Sequence, residues 1–180
     1  QNDLNTARGE LGGCGTQTAG HAFGGSLPAS TDLTEEYDGT SWTESGDLNT
    51  ARKQEVAGAG TQTAGLAFGG TVPPATGATE EYDGSTWTNS NSLITVRHSI
   101  APSKNGTQSA ALAMGGSPPP APSVVEGYDG TSWSTRPSLA TGRRLAGGFA
   151  TSSDAVISGG IISSNQTVTE EFTGETTSLN

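Results

Sequence analysis

The sequence predicts an all-β fold assembled from four similar units, and three observations predict it. Twin glycines recur at Gly24-Gly25, Gly69-Gly70, Gly115-Gly116 and Gly159-Gly160, at spacings of 45, 46 and 44 residues. A fixed period of this size marks a repeat architecture, in which each unit buries its faces against its neighbours. No segment carries the helical period; short β-prone runs rich in Thr alternate with turn signals, in a chain holding 27 Gly and 9 Pro among 180 residues. Other landmarks keep the same phase: an aromatic follows each glycine pair (Tyr37, Tyr82, Tyr128, Phe172), and in three units a Trp stands five residues later (Trp42, Trp87, Trp133).

Four strands are expected per unit. In the first unit, strand a runs over about 8–15 and strand b over about 18–23, joined by a Gly-Thr-Gln-Thr turn that recurs from Gly60. Strand c runs over about 31–37, and strand d surrounds Trp42. The dipeptide Asp-Gly at Asp38, Asp83 and Asp129 turns c into d, because Gly tolerates positive φ and Asp satisfies turn backbone with its own oxygens. Units are placed at about 8–51, 52–96, 97–142 and 143–180, within one domain over 1–180. Residues 1–7 read as the tail of a preceding unit: the hexapeptide Asp3-Leu4-Asn5-Thr6-Ala7-Arg8 returns unchanged at 47–52. The chain is therefore expected to be an excerpt of a longer array. Either residues 1–7 complete the fourth unit and close a four-unit ring, or two chains combine into a larger one.

The glycine pair, then Tyr, then Trp, then an Arg opening the next unit resembles the kelch repeat, over nearly the whole chain. That resemblance implies a β-propeller whose blades are four-stranded antiparallel sheets. The fourth unit departs from the pattern. Phe172 replaces Tyr, Thr173 replaces Asp, and Thr177 stands at the Trp position, which weakens the expectation of an outer strand there.

Composition bounds the function. Only 31% of residues are hydrophobic, so the core is expected to rely on close sheet approach by Ala and Gly, with a few aromatics filling the gaps. The net charge of −10 disfavours nucleic acid and anionic membrane as partners. No stretch is apolar enough to span a bilayer, so membrane insertion is not expected.

The recurring side chains read first as structural. Trp42, Trp87 and Trp133, with Tyr37, Tyr82 and Tyr128, are expected to pack between units. Arg8, Arg52, Arg97 and Arg143 open the units, and Glu35, Glu80, Glu126 and Glu170 precede each aromatic by two. Planar guanidinium suits bidentate carboxylate pairing, so a ring of Arg–Glu pairs holding the blades in register is expected. His21 takes a slot that is Leu66, Leu112 and Val156 elsewhere and reads as a packed strand residue; His98 reads as exposed, and Cys14 as a small core filler. Two histidines in different repeat phases make no metal site, and no cofactor, metal or catalytic residue is expected.

The least repetitive segments are the b–c connections: Leu27 and Pro28, Val72, Pro73 and Pro74, Pro118, Pro119 and Pro120, Ile161 and Ile162. Variable loops on a repetitive scaffold are where recognition is carried, and proline lowers the ordering cost of binding. The resemblance implies protein binding through this face. Simplified, acidic, Thr/Gly/Ala-rich kelch arrays of this kind resemble those of marine bacteriophage virion proteins, in tails and fibres. The expectation is a non-enzymatic module located in a virion, with other virion proteins or a host-surface receptor as partners and homo-oligomerisation as the second route to a ring. The alternative is a carbohydrate-binding propeller. A copper oxidase of the galactose oxidase kind would need ligands that His21, His98 and Cys14 do not supply in phase.

Overall fold

Sixteen strands in sequence order fold into four sheets in a computed structural model that describes residues 2–118, 120–173 and 177–179. Blade 1 holds β1 (Gly12–Thr16), β2 (Ala19–Phe23), β3 (Thr34–Tyr37) and β4 (Trp42–Glu44). Blade 2 holds β5 (Ala57–Gly60), β6 (Gly65–Phe68), β7 (Thr79–Tyr82) and β8 (Trp87–Ser90). Blade 3 holds β9 (Ala101–Pro102), β10 (Ala111–Met114), β11 (Val125–Tyr128) and β12 (Trp133–Arg136). Blade 4 holds β13 (Gly147–Ala150), β14 (Asp154–Ser158), β15 (Thr169–Thr173) and β16 (Thr177–Leu179). Each sheet is an antiparallel meander in sequence order, and the four form a four-bladed β-propeller with no helix among the described residues. The outer strand of blade 4 forms despite the lost Trp, pairing Phe172 with Thr177 and Glu170 with Leu179. Residues 2–7 form no strand of blade 4; they lie along blade 1, where Asn2 N donates to Thr40 O at 3.0 Å.

The twin glycines have one physical cause. Every pair takes positive φ, for example 64° at Gly24 and 112° at Gly25. A Cβ on Gly24 would meet Arg52 O at 2.8 Å, and one on Gly25 would meet Gly9 O at 2.7 Å. Only a residue without a side chain lets the b–c connection turn this close to the Arg-bearing connectors.

Inner strands begin later than the expected 8–15. Two residues after each opening Arg the backbone turns left-handed: φ is 56° at Glu10, 61° at Gln54, 51° at Ser99 and 55° at Leu145. This breaks strand a and aims backbone around the axis, where Glu55 N donates to Glu10 O, Ser99 N to Gln54 O and Leu145 N to Ser99 O. Holding non-glycine residues there costs roughly 1–2 kcal/mol each, offset by the bonds the geometry permits.

Three apolar clusters fill three seams. Phe23, Leu48, Val56, Ala67, Tyr82 and Trp87 join blades 1 and 2. Phe68, Leu66, Leu93, Ala111, Tyr128 and Trp133 join blades 2 and 3. Leu112, Met114, Val125, Leu139, Ile157 and Phe172 join blades 3 and 4. Among the described residues no such cluster joins blade 4 to blade 1.

Candidate functional site

The b–c connections leave each blade at the twin glycines, and in blades 1, 2 and 4 they fold back on themselves. Short bridges pair Ser26 with Ser30, Thr71 with Ala75, and Ile161 with Asn165. Leu27 N donates to Ala29 O at 2.8 Å and Val72 N to Pro74 O at 3.0 Å, so the loop tips are ordered by their own backbone. Each loop also pairs with the residue that follows an opening Arg: Gly9 with Ser26, Lys53 with Thr71, His98 with Ser117, Arg144 with Ile161. The b–c loops and the connectors between blades therefore share one face.

That face carries the same feature four times. The loop-tip position holds Leu27, Val72, Pro118 and Ile162, all exposed, with Leu27 at 39%, Val72 at 41% and Ile162 at 40%. Pro28, Pro73, Pro74 and Pro120 are exposed beside them, Ile161 is half-buried by its pairing with Arg144, and Pro119 lies outside the described residues. Sequence reasoning missed two further members: Ile94 at 62% and Val96 at 53%, on the connector from blade 2 to blade 3. Val96 lies beside Gly77 of the blade 2 loop. Their signal was available, since Ile94 and Val96 stand where blade 2's connector has Asn49 and Ala51. Lys53 reaches the same face, its Nζ donating to Pro28 O at 3.3 Å.

The Arg and Glu residues lie beneath this face, with one correction to the expectation. Each pair forms inside one blade: Arg8 with Glu35, Arg52 with Glu80 at 3.2 Å, Arg97 with Glu126 at 3.0 Å, and Arg143 with Glu170, all fully buried. They do not bridge blades as a ring. The second carboxylate oxygen accepts from the connector backbone, Asn49 N to Glu80 at 2.7 Å and Ile94 N to Glu126 at 2.8 Å. Each pair thus clasps the incoming connector onto the third strand of its own blade. That connector contributes to register between blades, because its Asp47 and Leu48 bond the preceding blade at Thr34 N and Asp32 O.

The aromatic residues divide. Trp87 and Trp133 are buried in seams, whereas Trp42 and Tyr37 are half-buried at the outer face of blade 1, their rings 5.0 Å apart. His21 is buried as expected, stacked 5.3 Å from Trp87, and burial lowers its pKa to about 4. Cys14 is half-buried with its Sγ 4.0 Å from His21 Nδ1, and burial raises its thiol to about 12. Both groups are neutral at pH 7, so the contact is packing and lacks the thiolate that nucleophilic chemistry needs. His98 is half-buried rather than exposed, its Nδ1 3.0 Å from Ser99 Oγ, and burial lowers its pKa. Asp38, Asp83 and Asp129 close their turns: Asp38 Oδ1 accepts from Thr40 N and Ser41 N at 2.8 Å, and these backbone bonds, Ser41's first, lower its pKa.

A cavity of about 320 Å³ lies on the axis, lined by glycine and aliphatic residues together with Glu55, Ser99 and Lys104. Among the described residues, no three His, Cys, Asp or Glu side chains gather into a group able to hold a metal ion. Compared with known proteins, the chain matches no family model and no curated sequence.

Proposed function

We propose that this chain is a non-enzymatic interaction module of kelch type, serving in a phage tail or fibre, whose b–c face binds another virion protein or a host-surface receptor. One observation carries the reading: four blades present an exposed apolar residue at the same loop position, and in blades 1, 2 and 4 the loop is already held by its own backbone bonds. Apolar anchors on a rigid base bind with little ordering cost, and Ile94 and Val96 extend the patch between blades 2 and 3. A carbohydrate-binding reading has less support, because sugar platforms need exposed aromatics, while Trp87 and Trp133 are buried and the loops hold none.

The test has two arms. Purified particles of the source phage are searched for peptides of this chain by mass spectrometry. The folded chain is then added as a competitor of particle attachment or assembly, beside the variant Leu27→Ser/Val72→Ser/Ile162→Ser. The reading expects the peptides to be present and competition to drop at least tenfold in the variant. Absence from particles removes the virion assignment, and equal competition by the variant removes the face.

A further inference from the structure

The two joined seams next to blade 2 are built from one repeated set of polar partners. Across seam 1–2, Trp87 Nε1 donates to Thr34 Oγ1 at 3.1 Å, Tyr82 OH to Glu36 at 2.6 Å, and Gln62 Nε2 to Tyr37 O at 2.8 Å. Across seam 2–3, Trp133 donates to Thr79 at 3.0 Å, Tyr128 to Glu81, and Gln108 to Tyr82 O at 2.7 Å. One blade supplies Thr and Glu from its third strand; the next supplies Gln, Tyr and Trp.

Seam 3–4 lacks both halves of the two side-chain pairs. Blade 3 has Val125 and Gly127 where the others have Thr and Glu. Blade 4 has Phe172 for Tyr and Thr177 at the register position of Trp, and Ser152 stands where Gln stood. Donor and acceptor are lost together, and the seam is packed with Leu112, Met114, Val125, Ile157 and Phe172 instead. Joint loss makes joint retention informative. Blade 4 keeps Thr169 and Glu171, and blade 1 keeps Gln17, Tyr37 and Trp42.

These retained groups stand apart. Thr169 Oγ1 bonds Ser158 within its own blade, Gln17 is exposed, and Tyr37 and Trp42 are half-buried. Phe149, on the strand of blade 4 next to the axis, is 56% exposed. The connector tells the same story. Asn5 is docked on blade 1 through Glu35 and Trp42 O, as Asn49 is on blade 2 through Glu80 and Trp87 O. Asp3 and Leu4, which match Asp47 and Leu48, have no such bonds to a preceding blade among the described residues.

The geometry points to a head-to-tail contact between copies of this chain. Blade 4 of one copy takes blade 1 of the next in the manner of seam 1–2, with Trp42 Nε1 on Thr169 Oγ1 and Tyr37 OH on Glu171 across the join. The occupant is a second copy because both halves belong to this chain, because they continue an interface the chain already makes, and because the three formed seams leave them unjoined within one copy. Such a contact is heterologous, so it closes a ring or propagates.

Light scattering coupled to size exclusion, over a range of concentrations, tests this. The wild-type chain is expected at twice 18.1 kDa or a higher multiple. Two variants borrow residues the same fold already carries at these register positions. Tyr37→Phe/Trp42→Thr disables one half, and Thr169→Val/Glu171→Gly disables the other. Each alone is expected to run at 18.1 kDa with its far-ultraviolet spectrum intact. Mixed, they retain one complementary pair of faces and form a dimer that grows no further. A wild-type monomer at every concentration overturns the proposal, whether Trp42 fluorescence reports exposure or closure within one chain. An oligomer that both variants leave unchanged overturns it equally.

Discussion

The indole Nε1 of Trp87 donates to the hydroxyl of Thr34, 53 positions earlier, and both groups are buried. One side chain thereby fills the seam and registers it. The Trp87 ring also meets Phe23 edge-on at 5.1 Å. Truncation to Ala is expected to cost about 3–5 kcal/mol, as for other buried Trp side chains. Trp42, half-buried and without that hydroxyl partner among the described residues, is expected to cost no more than about 1–2 kcal/mol in the monomer. Denaturant unfolding of Trp87→Ala and Trp42→Ala below the association range checks the contrast; equal losses would contradict the assignment of Trp42 to an unjoined face.

The Arg52–Glu80 pair is expected to behave as a buried clasp. Burial lowers the Arg52 pKa to about 10, partly countered by Glu80, and the guanidinium also donates to Ala78 O at 2.7 Å. Removing one partner strands a buried charge, so Glu80→Gln or Arg52→Met should each cost about 3–5 kcal/mol. The double variant should cost clearly less than the sum of the two. A double-mutant cycle by denaturant unfolding measures this, and additive losses would show that the two charges do not depend on each other.

How much of this was legible depended on whether a residue repeats in kind. Trp87 and Trp133 recur with their aromatic companions, and their seam role follows from that phase. Arg52 and Glu80 recur equally clearly, but phase alone does not say whether partners lie in one blade or two; the sheet register decides it. The left-handed residues Glu10, Gln54, Ser99 and Leu145 share a conformation and no chemistry, so nothing in their identity announced the axial turn. Ile94 and Val96 depart from their repeat, and a position-by-position comparison of connectors exposes them. Trp42 has the signature of Trp87, and only the absence, among the described residues, of a neighbouring blade packed on it separates the two.

The left-handed turn supplies its own test. Glu10 is exposed and holds φ at 56°, a region where a side chain is penalised and Gly is not. Glu10→Gly is expected to leave stability unchanged or raise it by up to about 1 kcal/mol, after the extra chain entropy of Gly is offset. A comparable gain from Gly at Ala22, a buried position of β2, is not expected, since the lost packing and strand propensity act in one direction there. Thermal unfolding of the two variants separates a conformational effect from a general tolerance of glycine.

His21 gives the fold a pH dependence with a definite sign. Its ring is 2% exposed, packed on Tyr82 at 4.6 Å and Trp87 at 5.3 Å, and burial lowers its pKa from 6.5 to about 4. Between those values the unfolded chain binds a proton that the folded chain refuses. Stability is therefore lost as pH falls through 6.5 towards 4, and above 7 the group has no effect. The loss attributable to this group is about 2 kcal/mol at pH 5 and roughly 3 kcal/mol below pH 4. Carboxylates titrate over part of the same range, so the comparison must be internal. His21→Leu installs the residue found at Leu66 and Leu112, and the carboxylates are common to both proteins. Urea unfolding at pH 7.5 and 5.0 should show the wild type losing about 2 kcal/mol more than the variant between the two conditions. Parallel losses would mean that His21 accepts its proton without leaving the seam.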